Sequence, residues 1–260
     1  MKVINKIYSI LKFKSFKKRV LKPFGKILKK LKSKKNKTVF LNFLKKAVIY
    51  LITSYAFFLK AAFILVLCIK FINPPFSSLM IYRGVKNNYK IKNRVFIPIK
   101  HIKRSMKNAL IIAEDKKFYS HYGIDLEAIK TAYEVNQRLK RKQLGGSTIT
   151  QQTVRTIFLF PDKNYFRKII EIHIALIADL ILSKERILEL YFNYVEFGRG
   201  VFGVVIASYY HYGKSFYKLD TDEMIRLITI LPSPIRYSPN NFYKNERLLE
   251  RYNFIKTVIG

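Results

Sequence analysis

The sequence predicts a mainly α protein: a basic amphipathic arm, one transmembrane helix, then a helical domain beyond the membrane. Three observations carry this. Residues 47–69 form an apolar run long enough to cross a bilayer, apolar residues recur at helical spacing from residue 105 onward, and no strand-then-helix alternation marks a doubly wound sheet. At 260 residues, half of them hydrophobic, the chain can bury one catalytic-size core and carry a small appendage. The expected divisions are an arm at 1–46, a transmembrane helix at 47–72, a connector at 73–100 and the main domain at 101–260.

The arm holds 17 Lys and Arg and no acid, while Val3, Ile4, Ile7, Ile10 and Leu11, then Val20, Leu21, Phe24, Ile27, Leu28 and Leu31, follow one helix face broken near Pro23. Such a segment suits the surface of an anionic leaflet. A disordered charged arm and a nucleic-acid arm share the composition.

The span AVIYLITSYAFFLKAAFILVLCI contains Lys60 near its centre. A central Lys costs about 2.5–3.5 kcal/mol on insertion scales, against about 0.3–0.6 kcal/mol gained from each of some thirteen Leu, Ile, Val and Phe residues. The apolar sum wins, and snorkelling of the Lys helps. Because the dense cations precede the span, the positive-inside rule puts the amino terminus in the cytoplasm and everything after Asn73 outside it. The run is too long, and starts too late, for a cleaved signal peptide.

After Asn73-Pro74-Pro75 the connector alternates weakly, and VFIPI (residues 95–99) resembles a short strand. Helices are expected over 105–113, 126–139, 147–160, 165–182 and 184–194, and around 201–211 and 220–231, separated by HYG, QLGG, PDKN, FGRG, YGKS and LPSP.

Charge narrows the function. Fifty Lys and Arg against 16 Asp and Glu give a formal net charge of +34, which calls for an anionic partner: lipid, phosphorylated substrate or nucleic acid. Cys68 is the only cysteine, so neither an internal disulfide nor a thiolate metal site is expected. His101, His121, His173 and His211 lack HExxH spacing, which argues against protein-held zinc.

Glu114 and Asp115, in IIAEDKKFYSHYGID, are the first acids in the chain. Glu114 falls at a helix carboxyl end beside apolar residues, both of which oppose its ionised form, and a carboxyl poised in this way can take a proton from a hydroxyl. Phe118 is spaced to pack back on the turn, His121 and Gly123 read as a tight turn, and Asp125 as a helix cap. In GGSTITQQTVRTIF two glycines lead into Ser147 and Thr148 at a helix start, either an anion site or simply a good cap. Arg155, Lys163, Arg167 and Lys168 follow closely, enough charge to hold a pyrophosphate. Arg167 and Glu171 stand four apart, the spacing of a surface ion pair worth about 0.3–0.5 kcal/mol.

Together these motifs resemble the peptidoglycan glycosyltransferases, glycosyltransferase family 51, of the short monofunctional type. EDKKFYSHYGID from Glu114, GGSTITQQ from Gly145, RKIIE from Arg167 and KERILELYFN from Lys184 match in order and spacing, and FGRGVFGVVIASYYHYGKS and LPSPIRYSP extend the likeness. The resemblance implies a lysozyme-like helical fold with a lobe dipping into the membrane, and polymerisation of lipid II into glycan strands. By the same resemblance Glu114 is the general base that deprotonates the acceptor 4-hydroxyl, and undecaprenyl pyrophosphate leaves with inversion. Glu171 lies by the pyrophosphate. Ser147, Thr148, Gln151 and Gln152 line the cleft, and Arg155, Lys163, Arg167 and Lys168 supply its cations. Lys184, Glu189, Tyr191 and Asn193 hold the fold around it.

The resemblance also allows a divalent cation, Mg or Mn, at the pyrophosphate, with no organic cofactor. Its implied partners are lipid II, the growing strand, the membrane and other cell-wall synthesis proteins, with no nucleic acid. Its implied location is the inner membrane, single-pass, with a periplasmic catalytic domain. Arg155 stands where the family usually has Lys and Lys163 where it often has Arg, while Ile170, Leu180 and Ile181 replace basic residues, so the grip on phosphate differs. Two other activities remain open: an inactive lipid II-binding scaffold, and a lysozyme-like glycan cleaver, for which the basic cluster has no use.

Overall fold

The computed structural model describes residues 34–140, 144–162 and 164–259. The arm's residues 1–33 lie outside the described residues. The chain divides into two units, 1–58 and 59–260. Helix α1, Lys34–Phe71, runs across the division and begins thirteen residues before the expected span. Its 38 residues exceed the roughly 20 needed to cross about 30 Å of bilayer hydrocarbon. Thr38–Phe71 is long and apolar enough to cross a membrane, and most of its large apolar side chains are exposed.

Nine further α-helices follow among the described residues: α2 Ser78–Asn87, α3 Arg104–Glu114, α4 Leu126–Arg138, α5 Ile149–Phe158, α6 Tyr165–Ile181, α7 Lys184–Tyr194, α8 Val204–Tyr212, α9 Thr221–Thr229 and α10 Glu246–Ile259. One antiparallel hairpin, β1 Glu196–Gly198 and β2 Val201–Phe202, separates α7 from α8. The structure is mainly helical, as the periodicity predicts. Caps explain many of the starts: Ser77, Asp125, Thr148, Asn164, Ser183 and Asp220 each accept a backbone N–H from the first turn, worth about 1 kcal/mol apiece.

Helix α7 is the centre. Ile187 through Tyr194 are buried on nearly every side apart from Glu189, the pattern of a core helix and not an amphipathic one. Helix α5 packs against α6 and α7, and α3 against α9 and α10, so the ends of α3 and α5 are held from two directions.

One expectation of the fold changes. VFIPI forms no strand. The Asn193 side chain does what a partner strand would do, accepting from Ile97 N and donating to Ile97 O, both at 2.8 Å, while Glu189 accepts from Ile99 N at 2.7 Å. The connector, which alternates only weakly in sequence, also contains a helix, α2.

Candidate active site

Glu114 is the last residue of α3, and its side chain is 14% exposed. One carboxylate oxygen accepts from Gln152 Nε2 at 2.7 Å and the other from Arg251 Nη2. Arg251 also donates to Ala113 O at 2.9 Å, fixing its guanidinium against the helix end. Gln152 is oriented in turn by the Tyr191 hydroxyl, which donates to Oε1 at 3.1 Å. Burial, and then the Glu114 charge, push the Tyr191 phenol well above its ordinary range, so it stays a donor.

Asp115 does different work. Its buried carboxylate lies 2.9 Å from His121 Nε2 and accepts from Ile149 N, the first amide of α5, also at 2.9 Å. Gly123, at φ +76°, closes the turn between them, and its carbonyl accepts from Thr148 Oγ1 at 2.7 Å. Phe118 is fully buried beneath the same corner, with Lys184 Nζ 4.8 Å from its ring centre. Lys184 also pairs with Asp179 at 2.8 Å and donates to His121 O.

Thr148 and Gln151 are both buried. They form a capping box, each side chain accepting from the other's backbone N–H, and Gln151 Nε2 has no partner. Ser147 is half-buried and accepts from Lys168 Nζ at 2.9 Å. Of the motif's four polar side chains, Gln152 meets Glu114 and Ser147 meets the cation cluster, while Thr148 and Gln151 hold the helix start.

Glu171 lies on α6 and is completely buried, so the surface-pair expectation for Arg167 and Glu171 is corrected. The packing of α6 on α5 turns this helix face inward. Glu171 accepts from Arg167 Nη1 and Lys168 Nζ, both at 2.5 Å, and Arg155 Nη1 stands 3.9 Å away. Three cations around one carboxylate leave a local excess of two positive charges. Lys163 lies outside the described residues.

Helix α5 joins the two centres: Gln152 reaches Glu114, and Arg155, one turn later, reaches toward Glu171. A cavity of about 220 Å³ opens here, lined by Gln152, Arg155 and Tyr191, and by Arg83 and Glu196 from α2 and β1. Arg83 holds one Glu196 oxygen at 2.9 and 3.1 Å, and burial pushes that carboxyl up despite the guanidinium.

Two contributors escape the linear motifs. Arg251 sits 137 residues from Glu114, beyond any local pattern. Tyr191 was legible only as a residue holding the fold, and the structure sets it directly behind Gln152.

The helical fold and the family likeness together define a glycosyltransferase enzyme. The chain belongs to the transglycosylase family, whose model, described as "Transglycosylase", matches residues 83–258. It is similar to the biosynthetic peptidoglycan transglycosylase of Haemophilus influenzae strain PittEE, at 36% identity over 70% of this chain and 78% of that protein. The proteins of the same name from Pseudomonas putida strain KT2440 and Caulobacter vibrioides are each 39% identical, over 70% and 66% of this chain and 78% and 74% of theirs.

Proposed function

We propose that the protein polymerises lipid II into peptidoglycan glycan strands, with inversion and release of undecaprenyl pyrophosphate. The relatives' names supply the polymer, and one observation supports the chemistry. A single helix, α5, links a carboxylate with a fixed orientation to a cluster of cations with excess positive charge.

In this reading the acceptor sugar's 4-hydroxyl lies against Glu114. As its oxygen forms a bond to the donor's anomeric carbon, its proton passes to the carboxylate, and the bond from that carbon to the diphosphate oxygen breaks. Attack from the face opposite the leaving group inverts the centre. Arg155, Arg167 and Lys168 stabilise the charge arriving on the diphosphate, while Gln152 and Arg251 hold the base in place.

A divalent cation fits this donor set poorly. Both Glu171 oxygens already accept from cations, and no three His, Cys, Asp or Glu side chains gather among the described residues. The three side-chain cations supply the electrostatic role, and no step runs through a metal.

The apolar helix and the arm's charge support a single-pass protein of the inner membrane, amino terminus in the cytoplasm and catalytic domain outside. Incubating the detergent-solubilised full chain with labelled lipid II tests the reading. Polymer is expected; shortening of preformed glycan would make it a cleaving enzyme, and binding without turnover a scaffold.

A further inference from the structure

A second cavity, of about 970 Å³, shares no lining residue with the one beside Gln152. Lys90, Lys92 and Arg199 line it together with Tyr89, Tyr209 and Tyr210, three asparagines and two isoleucines, and there is no acid among them. None of the three cations has an ion-pair partner among the described residues; Lys92 Nζ lies 5.3 Å from the Tyr210 ring centre.

The walls are fixed. Lys92 N donates to Gly200 O at 2.9 Å, tying the segment after α2 to the hairpin tip. At Gly200, φ +71°, an added Cβ would stand 2.4 Å from Lys90 O, so the two backbones meet at a distance that only glycine permits. The Tyr210 ring lies close to Gly198, where a Cβ would be 3.4 Å from Cε1.

This cavity and the one beside Gln152 flank the same seam. Helix α2 gives Arg83 to the smaller and Asn87 to the larger, four residues and about 6 Å of helix rise apart. The hairpin likewise gives Glu196 to one and Arg199 to the other.

We propose that the larger cavity is a second glycan-binding site, holding a carboxylate-bearing amino-sugar segment of the strand outside the catalytic cleft. The proposal rests on the polymerase reading above for the identity of the strand. Tyrosine faces suit the C–H faces of pyranose rings, asparagine amides pair with hydroxyl and acetamido groups, and unpaired cations suit carboxylates. The volume lies within the range of about 300–1,000 Å³ common for ligand sites. A lipid surface fits less well, because an interfacial element needs a broad apolar face beside its cations, and here Ile91 and Ile206 are the only aliphatic lining.

The test compares the full-length parent with Lys90→Glu/Arg199→Glu, and with Tyr209→Ala as a second variant should the first fail to fold. Three quantities are measured: affinity for soluble uncrosslinked glycan strands bearing stem peptides, binding to phosphatidylglycerol vesicles, and length of strands made from lipid II. Glycan affinity should fall about tenfold or more and product strands should shorten, while vesicle binding and the rate of first bond formation stay within about twofold. Unchanged glycan affinity, or no glycan binding by the parent, overturns the proposal. Lost vesicle binding with glycan binding intact overturns it too and assigns the cavity to a lipid headgroup. A parent that binds strands through these residues but makes no polymer would sink the polymerase reading alone.

Discussion

Glu114 and Asp115 are consecutive, yet their carboxylates meet α5 at different places: Glu114 accepts from Gln152 at 2.7 Å, partway along the helix, and Asp115 from Ile149 N at 2.9 Å, at its start. The second contact sets the helix that the first one needs. Adjacent acids are therefore no redundancy here. One is held by Gln152 and Arg251, and the other, paired with His121, pins the corner to α5.

Replacing Glu114, the proposed base, should separate chemistry from folding. Glu114→Gln keeps the shape and can still meet Gln152, but it cannot take a proton. Polymerisation from lipid II should fall about 10²- to 10⁴-fold, the usual worth of a general base, with the melting temperature within a few degrees of the parent. A variant as active as the parent removes Glu114 from the mechanism.

Arg251 is the contributor without a linear signal, and its effect should be one of orientation. Arg251→Met removes both the contact to Glu114 and that to Ala113 O, leaving the carboxylate held by Gln152 alone. An expected fall in kcat of roughly ten- to a hundredfold, with KM little changed, follows from losing alignment and not substrate contact. A rise in KM alone would show that Arg251 acts on binding.

Helix periodicity made α3 through α9 legible, because each buries one face or, in α7, nearly all of itself. What escaped did so for physical reasons. The hairpin strands have three and two residues, too few to show alternation, and α2 is a ten-residue helix directly after a Pro-Pro break. Helix α10 had a usable signal in Leu248, Tyr252 and Ile255, spaced four and three apart and all buried. That spacing marks a helix, but nothing in it ties Arg251 to Glu114, 137 residues away. At the site, residue types and order were readable, whereas burial was not. The i,i+4 spacing of Arg167 and Glu171 is the same on a solvated face as on one packed against α5.

That burial makes Glu171 a stability residue as well as a charge organiser. Glu171→Gln leaves Arg167 and Lys168 facing one another without their shared counter-charge. Breaking a fully buried pair costs about 3–5 kcal/mol, and because Lys168 and Arg155 are about a third exposed, the expected loss here is nearer 2 kcal/mol. Urea unfolding reads it directly. A midpoint equal to the parent's would mean the cations relax into solvent without strain.

Gly123 offers a test of the corner itself. Its φ of +76° disfavours any L side chain, and an added Cβ would sit 2.5 Å from Ala175 O on α6. Gly123→Ala should cost about 2 kcal/mol or more. It should also lower activity, because the Gly123 carbonyl anchors Thr148 at the start of α5. Loss of stability with full activity would show that α5 holds its place without this corner.

Glu196 gives stability a pH dependence of known sign. Burial raises its carboxyl above the usual 4.5 against the pull of Arg83, and its Oε1 is buried without a partner. The folded protein therefore holds this proton more tightly than the unfolded chain does. Its favourable contribution is complete below pH 4.5 and fades as pH climbs through the raised folded value. Glu196→Gln stays neutral throughout and can still accept from Arg83. Compared with the parent it should differ least near pH 4 and gain relative stability steadily toward pH 7, as read by denaturant midpoints across that range. A constant difference between the two proteins would mean that the carboxyl ionises no less readily inside the fold than in the unfolded chain.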